Sequence, residues 1–378
     1  MLCYEFPPIG GGGAQVVRGL AGELVAAGHD VDLVTMGFRG LPREEETEGI
    51  RVHRVPCLRR KEFVCTAPEA ATYAASAFPA VLRLAAEARP DIVHAHFIFP
   101  DGFLAWSTRR RTGLPYVITA HGSDVPGYNP HRLKAAHRLL APLWSSVTGG
   151  ARRIVCPSES LRSLVARRGR GDRTVVVPNG IDPGRFDPNR KKNERILVAT
   201  RMLERKGVQH LLAALARFPR PVGVDIVGDG PFLPELRRMA RELGVDARFA
   251  GWLDGGSPEL KELFETSGIF VFPSEAENFP NVLLEAMTAG MAIVTTAGTG
   301  CAEVVGDAAV LVPPKDPAAI REALPALLDN PAFREILGTA ARARVEKLFS
   351  RRAVAGRYAE IYGEVVAADR RITKSDRG

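Results

Sequence analysis

No run of apolar residues in this 378-residue chain approaches the roughly 18 needed to cross a bilayer. No charged start followed by an apolar stretch opens it, so neither a membrane span nor a secretory leader is expected. Cysteine is sparse: Cys3, Cys57, Cys65, Cys156 and Cys301 are odd in number and scattered, with no Cys-x-x-Cys pair. That usage argues for a reducing compartment and against a structural zinc, and it makes a cytoplasmic protein the expectation. Aromatic residues are few, are not interleaved with the basic ones, and accompany no nucleic-acid motif, so a nucleic-acid partner is not expected. Internal repeats of short period are missing. So is the dinucleotide fingerprint G-x-G-x-x-G: Gln15 or Val16 stands last after Gly10 or Gly11, and Leu233 stands last after Gly228.

What is present is the composition of an ordinary globular protein, 46% apolar and 25% charged, in a chain long enough for two α/β domains. The formal charge of +8 implies attraction to anions, among them nucleic acid, anionic lipid or a diphosphate. Basic residues cluster at Arg59-Arg60-Lys61, Arg109-Arg110-Arg111, Arg152-Arg153, Arg167-Arg168 and Arg190-Lys191-Lys192. Solvated faces and peripheral contact with an anionic membrane account for them equally well.

The most informative stretch is residues 268–297. Ile269-Phe270-Val271-Phe272 suits a buried strand, a polar loop runs from Glu275 to Asn278, a helical pattern follows Pro280 as far as Gly290, and Ala292–Thr296 is a second strand. The unit is βαβ, so its helix starts beyond the carboxyl end of a parallel strand, where open α/β sheets bind ligands. Free N–H groups at such a start suit a phosphate, and the carboxylates Glu277 and Glu285 suit sugar hydroxyls. A surface loop before a plain core helix would carry the same spacing.

Earlier in the chain, Leu2-Cys3-Tyr4 reads as the end of a strand, followed by a turn through Gly10–Gly13, a helix, and the strand Val31–Thr35. Residues 68–89 are helical with an interruption at Pro79, and Asp91–His96 is a strand ending in His94-Ala95-His96. That pair is half of a metal site without an evident third ligand, so metal is not expected. Tyr116–Thr119 is a strand followed by Ala120-His121-Gly122-Ser123-Asp124, and Arg132–Ala141 reads as a basic helical stretch, membrane-facing or packed. A Pro-rich, charged linker spans residues 183–193. Beyond it Arg201 and Lys206 flank a strand-to-helix turn, where paired cations can clamp a diphosphate. Residues 369–378, polar and charged, are expected to be disordered.

Ser274-x-x-Glu277-Asn278-Phe279-Pro280-Asn281-Val282-x-Leu284-Glu285-Ala286-Met287-x-x-Gly290 closely resembles the E-x7-E segment of the retaining GT-B glycosyltransferases of family four. The glycine turn with its helix, Thr119-x-His121-Gly122-x-Asp124, Arg201 with Lys206-Gly207, and Val227-Gly228-x-Gly230-Pro231 resemble further motifs of that family, in the same order. Many members carry Gly-Phe-Gly where this chain has Asn278-Phe279-Pro280, and Pro280 removes one N–H donor. Members also have several residues before the point where Met1 falls, so a truncated or misassigned start is expected.

The resemblance implies an α/β GT-B architecture of two Rossmann-like parallel-sheet domains facing across a cleft. Residues 1–180 form the acceptor side, residues 181–351 bind the donor, and a helix near 352–367 packs back on the first domain. It implies transfer of a hexose-type sugar, with retention, from a nucleotide diphosphate sugar to the hydroxyl of a saccharide or lipid-linked acceptor, with no metal and no other cofactor. His121 and Glu277 take the catalytic roles; Gly12, Gly13, Arg201, Lys206, Asn278, Phe279, Pro280, Asn281 and Glu285 the donor; and Asp124 and His96 the acceptor side. A GT-B-fold sugar-nucleotide epimerase and a non-catalytic polyanion binder are the alternatives.

Overall fold

The computed structural model describes residues 1–128 and 138–375, so Arg132 to His137 of the basic stretch lie outside the described residues. The chain divides into two compact units, Met1–Gly180 with Arg351–Gly378, and Ile181–Ser350.

The first unit holds β1 (Asp32–Met36), β2 (Glu44–Thr47), β3 (Ile50–Val55), β4 (Val93–His96), β5 (Tyr116–Thr119), β6 (Arg153–Cys156) and β7 (Thr174–Val176). Four consecutive buried residues in each of β4 and β5 leave no polar face, as a sheet covered on both sides demands. The pairing β3-β1 and the row β4-β5-β6-β7 are parallel throughout. Leu2 joins them, bridging in parallel to Val34 of β1 and Ala95 of β4. Chain order therefore runs from Leu2 to one side of the sheet and then returns to β4 on the other, which puts the switch point of this sheet at the carboxyl ends of the Leu2 strand and β4.

The structure adds one strand that the sequence does not announce and corrects three local expectations. Glu44–Thr47 is an edge strand antiparallel to β3, its acidic side chains facing water and Glu45 paired with Arg54. The helix after the glycines starts at Gly12, so Gly12 and Gly13 form its first turn rather than the turn before it. Pro79 does not interrupt the helix Ala67–Glu87. Thr66 caps that helix by donating its N–H to Glu69 at 2.7 Å, and Tyr73, Ala77 and Val81 are buried along one face. The last helix runs Arg351–Ser375, well past residue 369, because Asp369 is drawn to Arg152 and Arg109. Val354, Ala355, Tyr358, Ile361 and Val365 of that helix share a core cluster with Cys3, Val17, Leu20 and Val117.

The second unit holds β8 (Asn193–Ala199), β9 (Val224–Val227), β10 (Ala247–Gly251), β11 (Ser267–Phe272), β12 (Ala292–Thr296) and β13 (Val310–Val312), in the order β10-β9-β8-β11-β12-β13, all parallel. Strand order reverses between β8 and β11, which places the switch point at the loops Thr200–Gly207 and Pro273–Pro280. Close backbone packing joins the neighbouring loops. A Cβ on Gly207 (φ +74°) would lie 2.0 Å from the Pro273 carbonyl oxygen, and one on Gly228 (φ +128°) 1.8 Å from that of Thr200. Those glycines let the loops at the sheet's carboxyl edge touch.

Candidate functional site

The candidate residues fall into one group in each unit, at the carboxyl ends of the strands flanking the two switch points. A cavity of about 720 Å3 in the first unit lies at the other edge of its sheet, between Leu24, Val81, Ile92 and Tyr362, and contains neither group.

In the first unit β4 and β5 end side by side, with His96 in register with Thr119, so His96 and His121 emerge together. His96 Nδ1 lies 3.3 Å from His121 Nε2. His94 stacks on the far side of His96, with ring centroids 4.1 Å apart. Its Nδ1 meets the Tyr362 hydroxyl at 2.6 Å and its Nε2 the Thr119 hydroxyl at 2.8 Å, and Thr119 in turn meets the Tyr358 hydroxyl at 3.0 Å. Burial depresses all three imidazoles, His121 to about 4 and the others well below their ordinary value, so the row is neutral near pH 7. These histidines stack rather than converge, and among the described residues no group of three His, Cys, Asp or Glu is arranged to hold a metal ion.

Phe97 turns the chain out of β4 with φ +78°, a conformation that costs a phenylalanine energy and recurs at functional sites. Its ring lies 4.3 Å from that of His121 by centroids. Gly13 completes the corner: a Cβ there would approach the Phe97 ring to 3.2 Å, tighter than most such contacts, while His121 Nδ1 at 3.9 Å would be an ordinary neighbour. Gly12 precedes it in the same turn.

Asp124 is buried and spends its oxygens on the backbone. Oδ1 accepts from the N–H groups of His121 and Gly122, at 3.1 and 2.9 Å, and Oδ2 from that of Ile98 at 2.8 Å. It fixes the His121 loop to the end of β4, although burial still pushes its carboxyl above the usual range. His96 has no exposed surface.

In the second unit, Glu277 accepts from the Lys206 ammonium and, at 2.6 Å, from the Ser274 hydroxyl, all three on the loops after β8 and β11. The Lys206 ammonium also lies 5.4 Å from the Phe272 ring centroid. The two loops are tied by Glu275 N–H donating to the Arg205 carbonyl at 2.9 Å. Arg201 is exposed and has no ion-pair partner among the described residues. Of the two cations that flank this turn, Lys206 is held by a carboxylate, because the loop after β11 brings Glu277 within reach.

Asn278 is buried, and Asn281 opens the helix Asn281–Thr288 after the cap at Pro280. The Phe279 side chain packs edge-on against Phe349, with centroids 5.5 Å apart, so only its backbone is placed to meet a ligand. Gly300 N–H donates to the Glu277 carbonyl at 3.0 Å, and a Cβ there would lie 1.7 Å from the Asn278 carbonyl oxygen. Glu285 pairs with Arg185 at 3.1 Å, and burial pushes its carboxyl up while Arg185 opposes the shift.

Arg185 and the tyrosines of the last helix were missed in the sequence, and Ser274 was read only as the first residue of the glutamate motif, with no role of its own. The i, i+4 spacing of Tyr358 and Tyr362 on one face was a legible signal, and so was the Ser274-x-x-Glu277 spacing. Arg185 sits in a linker rich in charge, where nothing distinguishes it.

Solved structures share this arrangement of two parallel-sheet units. Sucrose-phosphate synthase from Thermosynechococcus elongatus matches with a TM-score of 0.79 and 23% identity, over 95% of this chain and 94% of that one. HepE from Anabaena, solved in complex with UDP, matches with a TM-score of 0.76 and 18% identity, over 96% of this chain and 98% of that one. These likenesses define the class of protein by its fold, GT-B. Family models agree: Glycosyltransferase Family 4 matches residues 10–185 and Glycosyl transferases group 1 matches residues 183–344. The chain belongs to the group 1 glycosyltransferases of family four. Curated relatives include an uncharacterized glycosyltransferase of Methanocaldococcus jannaschii, 28% identical over 93% of this chain and 94% of that protein. Another is the glycogen synthase of Mycobacterium tuberculosis, 28% identical over 96% of this chain and 93% of that protein.

Proposed function

We propose that this glycosyltransferase moves a hexose-type sugar, with retention of anomeric configuration, from a nucleotide diphosphate sugar to an acceptor hydroxyl in polysaccharide, glycolipid or other glycoconjugate synthesis. The observation that carries the reading is the position of Lys206, Ser274 and Glu277, hydrogen-bonded together on the two loops at the switch point of the second sheet.

Breaking the sugar–phosphate bond leaves negative charge on the diphosphate and oxocarbenium character on the sugar. Arg201, free of carboxylate partners among the described residues, takes the diphosphate bidentately, with Lys206 and the N–H groups that open the Asn281–Thr288 helix beside it. Together they do the work of a divalent cation, so the reaction runs without one. Glu277, oriented by Lys206 and Ser274, holds the sugar hydroxyls; Glu285 takes the ribose; and His121, neutral, meets a further sugar hydroxyl. A neutral ring there adds no repulsion to a sugar that is becoming positive. The Arg-rich surface of a chain with charge +8 suits an acceptor carried at an anionic membrane.

A thermal-shift screen against UDP-, GDP- and ADP-sugars, with and without EDTA, tests the reading. Stabilisation by one nucleotide, kept in EDTA and lost in Arg201→Ala, supports a metal-independent donor site. Folded protein that responds to none of them overturns it. Release of free nucleotide diphosphate with no sugar on any acceptor would favour an epimerase.

A further inference from the structure

We infer that two loops at the carboxyl edge of the first sheet, residues 37–43 and 56–65, dock this unit on an anionic bilayer, and that an acceptor carried in that bilayer meets the first switch point from there. The docking stands without the transferase reading; only its meaning for the acceptor rests on it.

The loops follow β1 and β3, which lie side by side and parallel, so both emerge at the same edge. Cys57 Sγ joins them by donating to the Gly37 carbonyl at 3.3 Å. The second loop is folded around its own Arg59. That guanidinium is buried, donates to the carbonyls of Lys61 and Glu62 at 3.0 and 2.8 Å, and pairs with Glu5 at 3.3 Å. The Glu62 carbonyl also accepts from the Gly10 N–H at 2.8 Å. Glu5 and Gly10 belong to the turn that follows the Leu2 strand, so the loop is fastened to the first switch point from within. Cys57 and Cys65 at its two ends pack against the core.

What this anchoring leaves outside is unusual for a surface loop. Leu58, Phe63 and Val64 are 63%, 47% and 45% exposed, on a backbone held too firmly to fold them in. Beside them the two loops carry the exposed cations Arg39, Arg43, Arg60 and Lys61 against one exposed acid, Glu62. Apolar side chains flanked by Arg and Lys fit the boundary between headgroups and acyl chains. The cations meet lipid phosphates there while the apolar tips leave water. Nucleic acid would use the same cations, but Leu58 and Val64 offer no ring on which a base could stack.

Co-sedimentation of the full chain with phosphatidylcholine vesicles, with and without phosphatidylglycerol, tests the inference. Binding is expected to the anionic vesicles alone and to weaken at high salt. Arg60→Gln with Lys61→Gln should weaken it about thirtyfold, taking about fivefold for each cation held near an anionic surface. Leu58→Ser with Val64→Ser should weaken it as well, and thermal melts of these surface variants should match the wild type. Leu58→Trp should add an emission that shifts to the blue on anionic vesicles and is quenched by brominated acyl chains. Absence of vesicle binding overturns the inference, and so does binding that ignores both double substitutions. Binding to RNA or heparin but not to vesicles overturns it in favour of a polyanion, and self-association relieved by Leu58→Ser with Val64→Ser overturns it in favour of a second copy of the chain. A protein that docks through these loops but is stabilised by no sugar nucleotide would refute the transferase reading alone; one stabilised by a sugar nucleotide that ignores vesicles would refute the docking alone.

Discussion

The Lys206 ammonium and the Glu277 carboxylate form an ion pair across the two loops of the second switch point, with side chains only 13% and 11% exposed. A pair this sheltered is costly to break by halves, because the partner left behind keeps its desolvation penalty. Lys206→Ala should therefore lower stability by about 2 kcal/mol in urea denaturation, and cut kcat/KM for the donor by roughly a hundredfold. Lys206→Arg should recover much of the stability. A Lys206→Ala protein as stable as the wild type would show that the pair does not hold the loops.

Glycines on these loops should be far less replaceable than glycines elsewhere. Ala at Gly300 would bring Cβ to 1.7 Å from the Asn278 carbonyl oxygen, and Ala at Gly207 to 2.0 Å from that of Pro273. Each backbone must shift, and a loss of about 3 kcal/mol or more is expected for either. Gly356 and Gly363, inside the last helix, meet nothing within 4 Å, so Ala there should instead stabilise by roughly 0.5–1 kcal/mol. Thermal melts of the four variants check the order.

These contrasts explain how much the sequence could reveal. Period and punctuation located Tyr116–Thr119 and Ala292–Thr296 to the residue, because each is a buried run with Gly or Pro close by on either side. The acidic edge strand Glu44–Thr47 was illegible, since its pairing comes from β3 and not from its own residues. In the candidate site, motif order singles out His121, Lys206 and Glu277, but nothing local says that Lys206 turns to Glu277, or that Glu285 turns to Arg185. Those pairings join positions 71 and 100 residues apart and exist only once the sheet is formed.

The neutral histidine row predicts a pH dependence of stability. Above pH 6.5 neither the folded nor the unfolded chain protonates His94, His96 or His121. Between 6.5 and about 4 the unfolded chain binds those protons and the folded one does not, so stability falls as the pH drops, by up to about 1.4 kcal/mol per unit for each histidine. Asp101 and Asp124, pushed up by burial, bind protons more readily when folded and blunt the slope toward its lower end. Urea midpoints at pH 7.5, 6.5 and 5.5 should decline in that order, and His121→Asn should decline less. A flat series would mean that the row is charged or open to water.

Arg185 offers the sharpest test of the donor end of the site, because no motif points to it. It holds Glu285 at 3.1 Å, donates to the Gly255 carbonyl at 2.8 Å, and lies 5.3 Å from the Phe186 ring centroid. Without it, nothing opposes the upward push that burial exerts on the Glu285 carboxyl, and a protonated Glu285 is a poorer acceptor for a ribose hydroxyl. Arg185→Ala should raise donor KM about tenfold and leave kcat nearly unchanged, since ribose contacts are made equally in the ground and transition states. The defect should deepen as pH falls toward 5.5, and Glu285→Gln should show the same KM defect without the pH dependence. A fall in kcat at constant KM would mean that Glu285 acts at the reacting sugar instead of the ribose.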